Sequence, residues 1–511
     1  MALFFKAVGA PICLGLCLSL RLGGVPALGQ DAGSRPADAQ HEVQPDIAQV
    51  NRELQQTRSE LADSKRQIEE LRQSLEALRK QVEAGHVQVE AEPAADAAPA
   101  VVSEPTVAAA DRDATFLAAK VAEMHQDKVE SASKYPVKIS GLVLFNSYWN
   151  KGIVDIQDLP NLALPTYPGA PSPSVGATLR QTMFGVEARG PRLFGAQSSA
   201  EAEIDFAGGS PATSFGATTG LVRMRTAKVS LDWANTSLNI GQDNLFFSPL
   251  SPTSYATVYE PAMSWSGNLW VWTPGVELTH RVALSETSSL VLQGGVLDPL
   301  TEQYPADEGR DPTAGEASRV PAVAGRIAID HSKAARYPFT LGFGGYRAQQ
   351  RYQAFPVVAS WTLNSDFKAG LGKHLEISGE WYRGQAVGGL GGGIWTSVVY
   401  PEADPPHTAI QPLRSIGGWT QLKIIPARRF EMNLAFGQDE NYGQDLRVFP
   451  LSVTGAGFSA MQKNRTDLVN FIYKPTSVLL LAVEWRHLFT VPENAPGNSA
   501  DQVNLAAGVH F

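Results

Sequence analysis

Three observations predict an all-β transmembrane antiparallel barrel of about 16 strands, preceded by an α-helical coiled coil. Apolar and polar residues alternate at period two through much of residues 135–511; the connectors between these segments alternate short and long; and residues 45–83 instead carry apolar positions at heptad spacing. No segment after the leader approaches the ~18 consecutive apolar residues that a membrane helix needs. A closed sheet is then the only way to satisfy every backbone group in hydrocarbon.

The first 29 residues read as a secretory signal peptide: Lys6, an apolar stretch to Leu20, then small residues at Ala27 and Gly29, with cleavage expected after Gly29. Both cysteines, Cys13 and Cys17, lie inside it, and Leu16 before Cys17 disfavours a lipoprotein signal. No thiol remains for a disulfide, a zinc site or a nucleophile, and neither metal nor cofactor is expected. Loss of Lys6 and Arg21 takes the net charge from −9 to −11, which argues against a nucleic-acid partner.

Residues 30–44 read as a flexible N-terminus, and residues 45–83 as a parallel coiled coil. Position a holds Ile47, Leu54, Leu61, Ile68, Leu75 and Val82; position d holds Val50, Leu71 and Leu78, with weak layers at Thr57 and Ser64. Parallel pairing sets Glu53 against Arg58 and Glu60 against Lys65, both attractive, so a homo-oligomer is expected. Mixed Ile and Leu at these positions leaves two and three strands both open. Residues 84–134, rich in Ala, Pro and Glu, read as a periplasmic linker.

From residue 135 onward the period changes to two. Ala200, Ala202, Ile204 and Phe206 share one side of a strand, opposite Glu201, Glu203 and Asp205; Val276, Leu278, His280, Val282 and Leu284 repeat the pattern against Glu277, Thr279 and Arg281. A soluble sandwich and an inverted barrel both fit this alternation. The connectors decide between them. Trp233–Asn235, Glu286–Thr287, Pro426–Arg428 and Pro475–Thr476 are brief, whereas Asn150–Leu179, Asn244–Thr273, Pro299–Val320, Ala386–Leu413 and Gln438–Asn464 are long, and the two kinds alternate. Short turns on one rim and long loops on the other belong to an outer-membrane barrel; Greek-key sandwiches have no reason to sort their loops this way.

The last segment, Val503 to Phe511, alternates throughout and ends on an aromatic residue. It resembles the C-terminal strand of bacterial outer-membrane proteins, which implies that Phe511 is read by the barrel assembly machinery. The order of leader, coiled coil, Ala/Pro linker and barrel, with stretches such as Leu179–Gly185, Leu221–Val229 and Gly241–Gln242 before Leu245–Leu250, resembles the DcaP-like trimeric porins. The resemblance implies a homotrimer in outer-membrane lipid passing small hydrophilic solutes, with anions such as dicarboxylates the suggested class.

An isolated barrel of this size encloses water unless a loop narrows it. Asn244–Thr273, rich in Phe, Tyr, Trp and Pro, is the candidate constriction; Glu260 is its one charge and Asp243 lies at its base. Arg223 and Arg225 on one strand, with Arg180 and Arg189 on another, are candidate solute ligands, since guanidinium groups orient carboxylates through paired donors. The competing reading pairs them with Glu187, Glu201 and Glu203 as a rigid wall. Strict alternation from Arg223 and Arg225 would turn Lys228 outward, a conflict that a bulge or a subunit interface would remove. An enzyme is disfavoured, because no Ser–His arrangement stands out near His280. A structural anchor that tethers a periplasmic partner or the cell wall through the coiled coil is the alternative function. Deleting residues 45–83 is expected to weaken oligomer assembly or heat resistance while leaving single-channel conductance unchanged, as measured by semi-native electrophoresis and bilayer recording.

Overall fold

In the computed structural model, which describes residues 135–209, 220–302, 311–332, 337–455 and 459–511, the period-two segments become 16 antiparallel barrel strands. The leader, coiled coil and linker read from residues 1–134 lie outside the described residues. In chain order the strands are β1 (Val137–Lys151), β2 (Ser174–Thr178 and Met183–Leu193), β3 (Ala196–Asp205), β4 (Arg223–Asp232), β5 (Thr236–Asn244), β6 (Trp272–Ala283), β7 (Ser289–Leu297) and β8 (Ala322–His331). They continue as β9 (Phe339–Gln350), β10 (Val358–Gly370), β11 (Leu375–Gln385), β12 (Arg414–Ala427), β13 (Phe430–Asn441), β14 (Met461–Tyr473), β15 (Leu479–Pro492) and β16 (Asn498–His510).

Each strand pairs with its sequence neighbours, and β1 also pairs with β16 from Leu142↔His510 to Lys151↔Asp501, which closes the sheet. Beyond the ladder, Phe511 and Gly141 exchange backbone hydrogen bonds of 3.0 and 3.1 Å. The Phe511 ring lies 5.8 Å from that of Phe184 on the far side of β1. Gly141 admits it, since a Cβ there would stand 2.6 Å from the ring. Closure leaves no unpaired edge to meet lipid.

Polarity is inverted relative to a soluble sandwich. Val143, Phe145, Met224, Val229, Ile240, Val276, Leu278, Phe343, Trp381 and Phe471 point out and are exposed, while Asn146, Asn364, Asp366, Glu380, Asn433, Asn464, Glu484 and Asn504 point in and are buried. The fold is a transmembrane β-barrel of the outer-membrane kind. The chain termini of the barrel, Tyr135 and Phe511, lie on the rim of the short turns; at β2–β3 that turn is Phe194–Gly195, both residues having positive φ. That rim is the periplasmic one, and the long loops are extracellular.

One strand departs from the expected outline. Between Thr178 and Met183 β2 breaks into a turn, Thr182 donating its N–H to the Leu179 carbonyl at 3.0 Å. The break releases Arg180 and Gln181 from the ladder, and both side chains reach inward. The apolar outer face yields a direct test: Leu278→Arg, on the exposed face midway along β6, is expected to lower unfolding stability by about 2–4 kcal/mol. Denaturant unfolding in lipid vesicles, followed by tryptophan fluorescence, measures it.

Candidate functional site

The loop after β5, L3 (residues 245–271), runs around the inside of the barrel and is held by inward polar residues of strand after strand. Phe247 stacks on Tyr346 of β9 at 5.6 Å, and its carbonyl accepts from Asn364 of β10. Glu380 of β11 accepts from the Ser248 hydroxyl at 2.7 Å and the Leu250 N–H at 2.8 Å. Gln421 of β12 accepts from the Thr253 N–H at 2.7 Å, Asn470 of β14 donates to the Thr253 carbonyl at 2.8 Å, and Ser254 donates to Glu484 of β15 at 2.5 Å. Asn146 of β1 then donates to the Tyr255 carbonyl at 2.8 Å. At the β2 break, Gln181 donates to the Ala256 carbonyl at 2.7 Å and accepts from the Val258 N–H at 2.5 Å.

The loop then meets β4, where a bulge sets the side chains. Glu203 of β3 faces Thr226 while the next residue, Ile204, faces Met224, so Arg225 is an extra residue in the ladder. Such an insertion resets the inside–outside alternation. Arg223, Arg225 and Lys228 therefore all face the lumen, with Met224 and Val229 outside. The conflict in the strict alternation is removed by the bulge.

Arg223 donates to the Tyr259 carbonyl at 2.5 Å and Arg225 to the Val258 carbonyl at 2.8 Å. Both also hold Asp205, at 2.6 and 3.2 Å, and Arg225 holds Glu203 at 2.6 Å. Arg180 forms a bidentate pair with Asp158, with contacts of 2.6 and 3.0 Å. Aromatic rings interleave with these cations: Arg180 and Arg223 lie 5.5 and 5.8 Å from the Tyr259 ring, and Arg223 and Arg225 lie 4.9 and 4.7 Å from that of Trp272. The order is Arg180, Tyr259, Arg223, Trp272, Arg225.

A second loop, L1 (residues 152–173), also enters the lumen. Its Pro160 carbonyl accepts from Arg486 at 3.2 Å and its Asn161 carbonyl from Asn464 at 2.9 Å, and the Ala163 N–H donates to Thr490 at 2.9 Å. Asn161 also donates to Glu260 of L3 at 3.2 Å, joining the two loops. Past this contact L3 returns to β14 and β12: Asn464 donates to the Trp265 carbonyl at 2.9 Å, and Ser266 bonds Thr466 at 2.8 Å. Gly267, at φ +97, lies so close to β12 that a Cβ would stand 2.3 Å from the Gly418 nitrogen.

The expected residues are thus distributed unevenly. Arg180, Arg223, Arg225 and Glu260 converge on one stretch of L3. Asp243 stands at the loop base and pairs with Lys228 at 2.5 Å, while Lys228 also holds Glu201 at 3.0 Å. Arg189 is apart from them: it pairs with Glu187, both on β2, and sits opposite Ser199 of β3, six residues and about 20 Å along that strand from Asp205. Asp158, Asp205, Tyr259 and Trp272, which complete the cluster, were not singled out from sequence. Neither were the loop anchors Glu380 and Glu484, although Asn364, Glu380, Gln421, Asn470 and Glu484 are inward uncharged or acidic residues on β10, β11, β12, β14 and β15 that could have flagged the wall L3 follows.

No protein-family model and no curated protein sequence matches the chain. Among solved structures, the outer membrane channel DcaP of Acinetobacter baumannii is similar over 74% of this chain and 99% of its own, at 16% identity and a TM-score of 0.55. The fold is a porin fold. An anion-selective porin from Comamonas acidovorans aligns over 74% of this chain and all of its own, at 10% identity and a TM-score of 0.48.

Within this porin fold Glu260 is the titratable group of the loop junction. Burial pushes its carboxyl up to about 7, opposing the hydrogen bond from Ser264, and the nearby Asp155 adds to the rise. Burial raises Asp155 of L1 to about 6. A carboxyl raised in the folded protein loses its proton first in the unfolded chain, so stability falls as pH rises from about 4.5 towards 7. Glu260→Gln retains the acceptor for Asn161 and is expected to flatten this decline, as measured by thermal unfolding midpoints of the detergent-solubilised protein between pH 4.5 and 8.

Proposed function

We propose that the chain forms a water-filled channel for passive diffusion of small hydrophilic solutes across the outer membrane, narrowed by L3. The single observation that carries this reading is a loop pinned to the inner wall of a closed 16-strand barrel. A barrel of that strand number is too wide for its own side chains to fill. Anchoring the loop to the wall shapes the opening without letting it wander across.

Carboxylate-bearing anions are the solute class we assign to the arginine–aromatic cluster, since guanidinium groups bind carboxylates through two donors at once. The preference is expected to be weak. Each arginine of the cluster already holds an acid, and Glu203 exposes 36% of its side chain against 11% for Arg225. A homotrimer is the assembly we propose, from the family resemblance; the parallel coiled coil expected of residues 45–83 is compatible with two or three strands. Recognition of Phe511 by the assembly machinery belongs to the same reading.

Planar-bilayer recording in a salt gradient tests the reading. The purified protein is expected to give stepwise, ohmic current with a small reversal potential. Arg223→Gln with Arg225→Gln is expected to move that potential towards cations; an unchanged value removes both residues from the selectivity site. Absence of current at every voltage would instead favour the anchor, with the coiled coil as its working part.

A further inference from the structure

A third loop enters the lumen. L6 (residues 386–413), between β11 and β12, turns inward through a short helical turn at Gly388–Leu390 and is fastened to the inner wall. Tyr382 of β11 accepts from the Gly393 N–H at 2.7 Å and donates to Asp439 of β13 at 2.6 Å, and the same carboxylate accepts from the Ile394 N–H at 3.3 Å. Asn441, also on β13, donates to the Gly393 carbonyl at 2.9 Å. Farther along, Glu302 of the β7–β8 loop accepts from the Ser397 N–H and hydroxyl at 2.9 and 2.7 Å.

These bonds hold a costly backbone. Gly393, Ile394 and Trp395 have φ of 60, 54 and 55°, three successive residues in the left-handed region. Glycine takes that conformation freely, whereas a β-branched residue and a tryptophan do not. Such strain persists only where the surroundings over-determine it, and it gathers at functional sites. Here the turn carries Trp395 onto Trp265 of L3, with ring centroids 5.0 Å apart and ring planes at 41°. L6 grips L3 a second time at Trp270, whose backbone N–H donates to the Leu390 carbonyl at 3.1 Å.

The order of strands fixes where the tryptophan pair stands. Its anchors are Tyr382, Asp439 and Asn441 and, for the Trp265 carbonyl, Asn464, on β11, β13 and β14. In a closed ring of 16 strands β12 is diametrically opposed to β4, so the pair lies across the lumen from Arg223 and Arg225. L3 spans the gap: six residues separate Tyr259 from Trp265, about 20 Å at full extension. Both indoles are partly exposed, and with their backbones bonded to the inner wall their open side is the lumen.

Resting on the channel reading above, we propose that Trp395 and Trp265 form the second jaw of the constriction, opposite the arginine–aromatic one, and that Trp395 sets the size of solute that passes. The arginine side acts on the sign of charge. The tryptophan side carries no charge and acts on cross-section, and an indole fixed by its strained backbone and by a neighbouring ring does not swing aside as a solute goes by.

Trp395→Ala in the full-length protein tests the assignment, in planar bilayers and in liposomes. Single-channel conductance is expected to rise by about 1.5-fold, and swelling in a neutral trisaccharide to speed up more than swelling in a monosaccharide. The reversal potential in a salt gradient is expected to stay at its wild-type value, which separates this variant from Arg223→Gln with Arg225→Gln. Circular dichroism reports on the pair independently of transport: the difference spectrum against wild type is expected to show loss of an exciton couplet between neighbouring indoles. Trp395→Phe keeps a ring on the turn and is expected to give a smaller rise, so it carries the test if the alanine variant loses heat-modifiable mobility on electrophoresis. Loss of the couplet with conductance and trisaccharide swelling unchanged overturns the size filter and leaves the channel standing. Absence of current and of swelling in the wild type overturns the channel reading, and the filter with it.

Discussion

Hydrocarbon offers no hydrogen bonds, and from that single constraint most of the architecture descends. Every backbone N–H and C=O between Val137 and Phe511 that crosses the membrane must find a partner within the sheet, so β1 must meet β16. Once the sheet closes, each strand has a side facing lipid and a side facing water, and the alternation of residues sorts itself accordingly. The polar face then becomes an inner wall rich in Asn, Gln, Glu and Arg, and it is this wall that captures L3. Closure and constriction are therefore consequences of the same exclusion of water from the outside.

The interior chemistry follows from desolvation. Inward charges that do not face open water need partners, and Arg223 and Arg225 of β4 obtain them twice over, from acids of the adjoining β3 and from the carbonyls of Val258 and Tyr259. The arginines consequently join two tasks, fixing the loop and presenting cationic faces between aromatic rings. Asp205 is fully buried beneath them and acts as the common counter-ion of Arg223 and Arg225. Removing such a group would leave uncompensated positive charge rather than a more open anion site.

The strands were legible in the amino-acid sequence because lipid and water impose opposite demands on successive residues, and all 16 expected segments overlap barrel strands. Loop sorting was equally legible, as was the Phe-, Tyr- and Trp-rich segment that enters the lumen. The bulge at Arg225 was open, since an inserted residue shifts phase without any compositional mark. Less legible still was the cluster itself. Asp158 and Tyr259 belong to separate loops, and only the closed ring brings them to Arg180. Arg189 illustrates the same limit: it shares a strand with Arg180, but the β2 break sends one to Asp158 while the other remains beside Glu187 near the periplasmic rim.

The itinerary of L3 also orders assembly in time. Its residues are synthesised midway along the chain, yet their holdfasts include Asn470, Glu484 and Asn464, which arrive 217, 230 and 199 positions later. The narrowing cannot be completed while the sheet remains an open ribbon. A nascent barrel must thus pass through a stage with its strands largely paired and its throat unfinished, and the final seam at Gly141 and Phe511 joins the wall to which the throat is fastened.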